Sequence, residues 1–227
     1  MRKDIRAILF DLDGLLVPTE ELHIKAYNTV FEQFGIILTQ EVFNKQMGVS
    51  TRENVKRIMK DNKIPPDKYD EILKLRYDIY YDSVKSTPLT FMDGAIECFE
   101  YIMEKKLKRG LVTSSIKEHA LAVLVNLNKH GNWRVDIFDY FDVLVFGDEI
   151  EMSKPNPEIY IKACERLDIN PSRCIALEDS QAGVLSAKNA GLYVIAVSQN
   201  NTNSYNIKNA DIKLKSLREI VQRKLFD

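Results

Sequence analysis

The chain is poor in cysteine and has almost no excess of charge of either sign. Its 227 residues include only Cys98, Cys164 and Cys174, and 32 Lys and Arg stand against 33 Asp and Glu. The three thiols are widely spaced and form no Cys-x-x-Cys or Cys/His pattern, which argues against a disulfide framework or a zinc site. They favour core packing in a reducing, cytoplasmic compartment. A net charge of −1 argues against nucleic-acid binding driven by bulk positive charge.

Long apolar runs, internal repeats and low-complexity tracts are also missing. No run approaches the roughly 18 residues of a membrane span, and the apolar stretch near the N-terminus is too short for the core of a secretory signal. We therefore expect a chain that does not enter a membrane. Its 227 residues exceed the common single-domain size of about 100–150 residues, so we expect one domain with a sizeable insertion, or two domains.

Short apolar runs separated by helical patterns predict the fold class. The runs cover residues 5–10, 110–113, 143–146, 174–177, 193–197 and, more weakly, 212–214. Helical patterns between most of them cover residues 93–106, 117–128, 157–167 and 180–190. This alternation is typical of an α/β fold with a doubly wound parallel sheet and helices on both of its faces.

The alternation fails between the first and second strands. There apolar residues recur at helical spacing, as in the stripe formed by Ile72, Leu75 and Ile79. We therefore predict an all-helical insertion over residues 17–88, which we call the helical segment. The remaining residues, 1–16 and 89–227, are predicted to form the core domain.

Side chains that carry oxygen or charge follow the predicted strands. Asp11 and Asp13 follow the first strand, Thr113 and Ser114 the second, Glu178 and Asp179 the fourth, and Lys154 lies in a loop before Pro155. Ligands of doubly wound sheets bind beyond the carboxyl ends of the strands. One aspartate after a strand is usually a turn or cap residue, but four carboxylates at two strand ends repel one another unless a cation lies between them.

The carboxylates therefore favour a hard divalent cation with oxygen ligands, and Mg²⁺ fits best because it bridges to phosphate oxygens. Lys154 and the Thr113 hydroxyl would then face an anion, together with the N-terminal amides of the helix after the second strand. Asp11 is placed to attack phosphorus and form an aspartyl-phosphate. Asp13 is placed to donate a proton to the leaving oxygen and to accept one from water. The joint prediction is a phosphoryl-transfer site.

Four motifs follow one another along the chain, namely FDLDGLL at 10–16, LVTSS at 111–115, SKPNPEIY at 153–160 and ALEDSQAG at 176–183. Together they resemble the haloacid dehalogenase superfamily of phosphotransferases, over nearly the whole chain. The resemblance implies a Rossmann-like core and a small helical cap, inserted after the first strand, that closes over the site. True dehalogenases lack an aspartate at the position of Asp13, so dehalogenation is not expected.

The resemblance also implies roles for individual residues. Asp11 is the expected nucleophile and Asp13 the expected general acid and base, while Thr113 and Lys154 bind phosphate. Mg²⁺ is expected on Asp11, the Asp13 carbonyl and Asp179, with Glu178 as a further ligand or as a group behind the ligands. Ser114, from the same motif as Thr113, is expected to bind substrate.

Within the superfamily, the motifs are similar to those of sugar-phosphate and nucleotide phosphatases, including pseudouridine-5'-phosphatases, and of beta-phosphoglucomutases. His23, Arg52 and Arg76 fall near cap positions that bind substrate or gate proton transfer in the mutase, so we predict substrate contacts for them. Each also has a simpler interpretation. His23 could lie on a polar helix face, Arg52 could begin a helix after a capping Ser50, and Arg76 could be a solvated helix charge.

The sequence thus predicts an enzyme, a Mg²⁺-dependent phosphatase for a small phosphorylated metabolite that acts as a cytoplasmic monomer. The first alternative is a mutase of the beta-phosphoglucomutase type. It is weakened by Ile116, which occupies a position where the mutase has a basic residue that holds phosphate. The second alternative is a non-catalytic phosphoester-binding protein on this fold, since a fold alone does not prove activity. The polar run at residues 199–204 is predicted to be a surface loop near the site.

Overall fold

The computed structural model describes residues 4–44, 47–198 and 207–227, so the predicted loop at 199–204 lies outside the described residues. Within them the strands are β1 (Ala7–Phe10), β2 (Lys108–Val112), β3 (Val143–Val145), β4 (Cys174–Glu178), β5 (Tyr193–Val197) and β6 (Ile212–Leu214). They pair in the order β3-β2-β1-β4-β5-β6, and every pair is parallel. The predicted α/β class with a doubly wound parallel sheet is confirmed. The strand order reverses between β1 and β4, where such sheets bind their ligands.

Helices lie between the strands and after the last one. They are α1 (Glu20–Phe31), α2 (Gln40–Asn44), α3 (Thr51–Asp61), α4 (Tyr69–Ser86), α5 (Ala95–Glu104), α6 (Lys117–His130), α7 (Ile137–Tyr140), α8 (Glu158–Leu167), α9 (Gln181–Asn189) and α10 (Arg218–Gln222). The first four fall within residues 17–88. Pro155 does not open a helix, because α8 begins three residues later at Glu158, directly after Pro157.

Both faces of the sheet are covered, and β1 shows why its sequence is a continuous apolar run. Ile8 and Phe10 pack on the face covered by α5, α6 and α10, whereas Ala7 and Leu9 pack on the face covered by α8 and α9. Successive residues of a strand point to opposite faces, and a parallel strand covered on both sides has no solvent-facing position. The predicted core packing of the cysteines is confirmed, since all three are buried free thiols.

The helices of residues 17–88 have an apolar cluster of their own, but they are not separate from the sheet. The cluster includes Val30, Val55 and Ile72, and it joins α1, α3 and α4. Farther along α4, Tyr80 and Val84 belong instead to the core cluster of the sheet. The helical segment is therefore bound to the core domain along the second half of α4.

The predicted apolar stripe on α4 is confirmed at Ile72 and wrong at Leu75. Ile72 is buried and Ile79 packs partly buried against the core, whereas Leu75 is 42% exposed. The buried positions are Ile72, Arg76, Tyr80, Ser83 and Val84, so the buried face includes a charged residue that apolar periodicity does not reveal. No helix of the described residues is long and apolar enough to cross a membrane.

Candidate active site

The turn after β1 delivers two aspartates to the switch point of the sheet. Asp11 continues the pairing of β1 with β4 through a hydrogen bond from its amide to the Leu177 carbonyl at 3.1 Å, and its side chain is buried. The chain then turns at Gly14, which has a φ of +83°. A Cβ atom at Gly14 would collide with Oδ2 of Asp179, so both the backbone angle and the close approach require glycine.

A buried ammonium joins the ends of β1 and β4. Nζ of Lys154 lies 2.7 Å from Oδ1 of Asp11, 2.6 Å from Oε1 of Glu178 and 3.2 Å from the carbonyl of Val112. Burial raises the pKa of Asp11 and Lys154 opposes that rise. For Lys154, burial favours the neutral amine, but the two carboxylates outweigh it and raise the pKa. Lys154 is thus paired with the predicted nucleophile, and its predicted contact with phosphate stays a prediction.

Glu178 is held by donors from three directions. Besides Lys154, the Tyr160 hydroxyl donates to Oε1 at 2.6 Å and the Ser180 hydroxyl donates to Oε2 at 3.2 Å. Ser180 also caps α9 by accepting a hydrogen bond from the Gly183 amide at 3.0 Å. These contacts favour the interpretation of Glu178 as a group behind the metal ligands, since its oxygens already serve to position Lys154.

Three carboxylates of the two strand ends form a group that could hold a metal ion. Asp11, Glu178 and Asp179 each offer one oxygen, and these oxygens lie within 4.8 Å of one another. Burial raises the pKa of Asp179 well above its ordinary value, and the neighbouring charges of Asp11, Glu178 and Glu20 raise it further. Buried carboxylates that repel one another are stabilised in their ionised form by a divalent cation, so this donor set fits one.

Asp13 is surrounded by donors from both parts of the molecule. Its carboxylate lies 2.6 Å from the Thr19 hydroxyl, 2.7 Å from Ser115, 3.2 Å from Thr113, 3.3 Å from the Tyr80 hydroxyl and 3.4 Å from Nε2 of His23. Burial acts to raise the pKa of Asp13, but the hydrogen bond and charge of His23 and the hydrogen bonds of Thr19 and Ser115 outweigh it and hold the pKa below its ordinary range. The donors around Asp13 therefore favour its carboxylate form and hold the side chain from several sides.

Two of the predicted substrate-binding residues form a chain of contacts to Asp13. Nη2 of Arg76 contacts Nδ1 of His23, whose other ring nitrogen faces Asp13. The His23 ring stacks on Tyr80 with centroids 4.1 Å apart, and burial lowers the His23 pKa. Arg76 is fully buried, with its guanidinium 4.5 Å from the Tyr27 ring and 5.0 Å from the Tyr80 ring. The interpretation of Arg76 as a solvated helix charge is wrong.

Arg52 and Ser114 are placed differently from the other predicted residues. Arg52 is exposed near the start of α3, where Ser50 caps the helix by accepting from the Glu53 amide at 3.3 Å. The hydroxyl of Ser114 donates to the carbonyl of Gly48 in the helical segment at 2.7 Å. The predicted anion site at the start of α6 is also partly used within the protein, because the Lys117 amide donates to Asp148 at 2.8 Å.

Four residues of this arrangement were not predicted from the sequence to belong to the site, which are Thr19, Ser115, His119 and Tyr160. Ser115 and Tyr160 stand inside the LVTSS and SKPNPEIY motifs, so the motifs themselves carried a signal for them. His119 has its ring 4.9 Å from that of Tyr77 and 5.0 Å from that of Tyr80, and it packs α6 against α4. Nothing in the sequence near His119 distinguished it from a surface histidine.

Comparison with known proteins agrees with this geometry. Residues 8–197 match the haloacid dehalogenase-like hydrolase family. The chain belongs to this family. It is 34% identical over 192 residues to a phosphorylated carbohydrates phosphatase of Thermotoga maritima, covering 83% of this chain and 82% of that one. It is 33% identical over 206 residues to a probable pseudouridine-5'-phosphatase of Saccharomyces cerevisiae, covering 85% and 82%.

Among solved structures, the chain is similar to a variant of CbbY from Rhodobacter sphaeroides in complex with xylulose-(1,5)bisphosphate. The two share 27% identity with a TM-score of 0.82, and the match covers 95% of this chain and 96% of that one. The prediction of a haloacid dehalogenase-type enzyme that hydrolyses phosphoric monoesters is confirmed at the level of family and reaction class. The individual residue roles remain predictions.

Proposed function

We propose that the protein is a Mg²⁺-dependent phosphatase that hydrolyses a small phosphorylated metabolite through a covalent aspartyl-phosphate on Asp11. The observation that carries the proposal is the pair of aspartates after β1, which have opposite surroundings. Asp11 lies against Lys154 and within the carboxylate group, whereas Asp13 lies among neutral donors and His23. Asp11 is thus placed beside Lys154 and the candidate metal ligands, as a nucleophile requires. Asp13 is placed beside proton-carrying groups, as an acid–base partner requires.

Asp11 and Asp179, with the backbone carbonyl of Asp13, are the groups we assign to hold Mg²⁺. Glu178 would support them by fixing Lys154. The bound ion would neutralise charge on the phosphoryl oxygens and on the buried carboxylates. A thermal shift measured with Mg²⁺ but without substrate tests this assignment: Mg²⁺ should raise the melting temperature of the wild type and not that of Asp179→Asn. An equal shift in both proteins would contradict it.

In the first half of the proposed reaction, Asp11 attacks phosphorus and the bond from phosphorus to the leaving oxygen breaks. Lys154 fixes Oδ1 of Asp11, and the second carboxylate oxygen is the one we assign to the attack. The leaving oxygen takes its proton from Asp13. Because the donors around Asp13 favour its carboxylate, the protonated form needed here is the less stable one in the described arrangement.

In the second half, water attacks phosphorus and the bond from phosphorus to Asp11 breaks. Phosphate departs, and Asp11 is again a free carboxylate. Asp13 accepts the proton of the attacking water, which returns it to the protonated state for the next cycle. The hydrogen bonds from Ser115 and Thr19 to the oxygens of Asp13 favour the carboxylate, which is the form that accepts this proton. Thr113 and Ser115 connect the loop after β2 to Asp13, so the same loop can hold phosphate beside it.

We propose that residues 17–88 form the cap of this enzyme and that the substrate is a sugar phosphate or a nucleoside monophosphate. Support for the substrate class comes from the phosphorylated carbohydrates phosphatase and the probable pseudouridine-5'-phosphatase that resemble this chain. His23, Arg52 and Arg76 remain our candidates for contacts on the cap side. We further propose a monomer of the cytoplasm that binds neither nucleic acid nor membranes, in keeping with the net charge of −1.

The deciding experiment measures phosphate release with Mg²⁺ from a panel of phosphoesters. The panel contains pseudouridine 5'-monophosphate, other nucleoside monophosphates, 2-deoxyglucose 6-phosphate, glycerol phosphate and beta-glucose 1-phosphate. Wild type is compared with Asp11→Asn and with a control, Asp139→Asn, which changes an exposed aspartate of α7. We expect release from at least one ester by the wild type and the control and none by Asp11→Asn. Full activity of Asp11→Asn would overturn the proposal.

A mutase of the beta-phosphoglucomutase type is the second candidate, because a closed helical segment excludes the water that a phosphatase needs. The contact between Ser114 and Gly48 shows that this segment touches the core across the site. The coupled assay for glucose 6-phosphate made from beta-glucose 1-phosphate separates the two. Product without phosphate release would favour the mutase. Failure of both assays would favour the non-catalytic alternative.

A further inference from the structure

Residues 47–50, which lead into α3 and which we call the Gly48 loop, contact the core on two sides at Gly48. On one side, the Ser114 hydroxyl donates to the Gly48 carbonyl at 2.7 Å. On the other side, a Cβ atom at Gly48 would collide with Oγ of Ser180, and it would lie 2.9 Å from Cβ of Ser180 and 3.3 Å from Cβ of Ala182. Gly48 also has a φ of +79°, which favours glycine. The backbone here is thus wedged between the loop after β2 and the start of α9.

Three consecutive hydroxyl residues follow β2, and they divide between two tasks. Thr113 and Ser115 donate to Oδ2 of Asp13 at 3.2 Å and 2.7 Å. Ser114, between them, donates to Gly48 instead. The middle hydroxyl is thus directed toward the helical segment and the two that flank it toward Asp13. The loop is held to β3 as well, since the amide of Gly147 donates to the Ser115 carbonyl at 2.8 Å.

We propose that Ser114 is a positioning residue, a latch whose hydroxyl holds the Gly48 loop of the helical segment closed over the phosphate-binding loop. The inference rests on the proposed function, because it assigns a purpose to closure at that site. It replaces the predicted substrate contact of Ser114 with a contact to the cap. Thr113, which we assign to phosphate, and Ser114, which we assign to the cap, are then adjacent residues of one loop.

The latch has a chemical consequence for the aspartyl-phosphate. While the Gly48 loop is closed, water reaches the site only through the remaining openings, and a bound alcohol has the advantage as acceptor. When the latch opens, water reaches the aspartyl-phosphate more easily, and hydrolysis is favoured over transfer to a bound alcohol. Closure also contributes to substrate binding, since contacts of the helical segment to substrate are made only in the closed state. Loss of the latch should therefore raise KM more than it lowers kcat.

The first test is hydrogen exchange of the free protein, followed by mass spectrometry on the peptide that carries residues 47–54. A hydroxyl–carbonyl hydrogen bond contributes a net factor of roughly 3–10 to an opening equilibrium. We expect Ser114→Ala to speed exchange in this peptide by about that factor and Ser114→Thr, which keeps the hydroxyl, to restore it. Ser86→Ala is the control, because it removes a hydroxyl that bonds only within its own helix turn. Unchanged exchange in Ser114→Ala would overturn the latch.

The second test is a double-mutant cycle with steady-state kinetics on an ester from the panel. Gly48→Ala cannot close without a collision, so it should raise KM further than Ser114→Ala does. Adding Ser114→Ala to Gly48→Ala should change little, because the latch has already lost its partner. Fully additive effects would contradict the inference. Since the exchange test needs no substrate, a chain without phosphatase activity can still show the latch, and an active chain can lack it.

Discussion

The two parts of the molecule each bury one cation near the site, and they neutralise it in different ways. Lys154 of the core lies between two carboxylates, 2.7 Å from Asp11 and 2.6 Å from Glu178. Arg76 of the helical segment lies between the rings of Tyr27 and Tyr80, and within the described residues its Nε and Nη1 atoms have no hydrogen-bond partner. Both side chains are fully buried.

This difference indicates that the burial of a cationic side chain does not by itself define its role, which depends on the groups that surround it. Lys154 holds Asp11 and Glu178 by direct ion pairs. Removing its charge leaves both carboxylates without this cation. The charge of Arg76 is balanced by ring faces and, through His23, by Asp13. The core therefore has a charge paired with two carboxylates, and the helical segment has one that contacts aromatic rings and His23.

The largest effect is expected for Lys154→Met. Removing one partner of a buried ion pair usually costs about 3–5 kcal/mol, because the remaining charge is left uncompensated. We expect a loss of that order in the free energy of unfolding and turnover at background level. Lys188→Met is the matched control, since Lys188 pairs with Asp211 at the surface at 2.9 Å, where such pairs contribute about 1 kcal/mol or less. Equal losses in denaturant titrations of the two variants would break the comparison.

A large effect on activity with little effect on stability is expected for Asp13→Asn. General acid–base groups contribute about 100- to 10,000-fold to rate, and we expect kcat with Mg²⁺ to fall within that range. The amide keeps the size of the carboxyl. Its oxygen can still accept from the Thr19 hydroxyl, and its NH2 group can donate to the Ser115 hydroxyl, which reverses that hydrogen bond, so the fold should persist. Wild-type turnover by Asp13→Asn would show that the proton is carried by another group.

Arg76→Met is the most direct test of the difference between the two buried cations. Because the guanidinium has no carboxylate against it, replacing it by an apolar side chain of similar length should leave the melting temperature unchanged or raise it. The contact to His23 is lost, and we expect kcat to fall by about tenfold with a shifted pH profile. If Arg76→Met destabilises the protein as strongly as Lys154→Met does, the charge of Arg76 is structural and the contrast fails.

The sequence predicted the core better than the helical segment, for a physical reason. In a parallel sheet the strands are short apolar runs and their ends converge, so Asp11, Asp13, Glu178 and Asp179 could be brought together from their positions after strands. Lys154 is far from them in sequence, and only the motif SKPNPEIY suggested that it belongs there. Its pairing with Asp11 and Glu178 depends on three-dimensional distances that no motif states.

In the helical segment, the informative residues are those that break the apolar pattern. Arg76 stands on the buried face of α4 between Ile72 and Tyr80, where apolar periodicity favours an apolar residue, so the predicted stripe runs through the exposed Leu75 instead. The direction of the Ser114 hydroxyl could not be predicted either, because it depends on where the Gly48 loop lies. Contacts between the two regions are therefore the part of the site that needed a structure.

The smallest predicted effect concerns the junction of the two regions, where His119 packs α6 against the tyrosines of α4. Burial, followed by the charge of Arg76, lowers the pKa of His119 to about 3. In the folded protein His119 therefore stays neutral below pH 6.5, whereas the unfolded chain takes up a proton there. The stability that neutral His119 contributes is fully present above pH 6.5 and is lost as the pH falls toward 3.

One proton bound only by the unfolded state costs up to about 1.4 kcal/mol per pH unit, so the drop from pH 7 to pH 5 should cost about 2 kcal/mol. For a chain of this size that corresponds to roughly 4–8 °C in melting temperature. His119→Phe keeps an aromatic ring against Tyr77 and Tyr80 but cannot be protonated, so its melting temperature should fall less over the same interval. His130→Gln, on the same helix, should keep the wild-type loss. Parallel losses in wild type and His119→Phe would mean that the acid sensitivity of the fold lies elsewhere, and that the junction of the two regions does not depend on the neutrality of this ring.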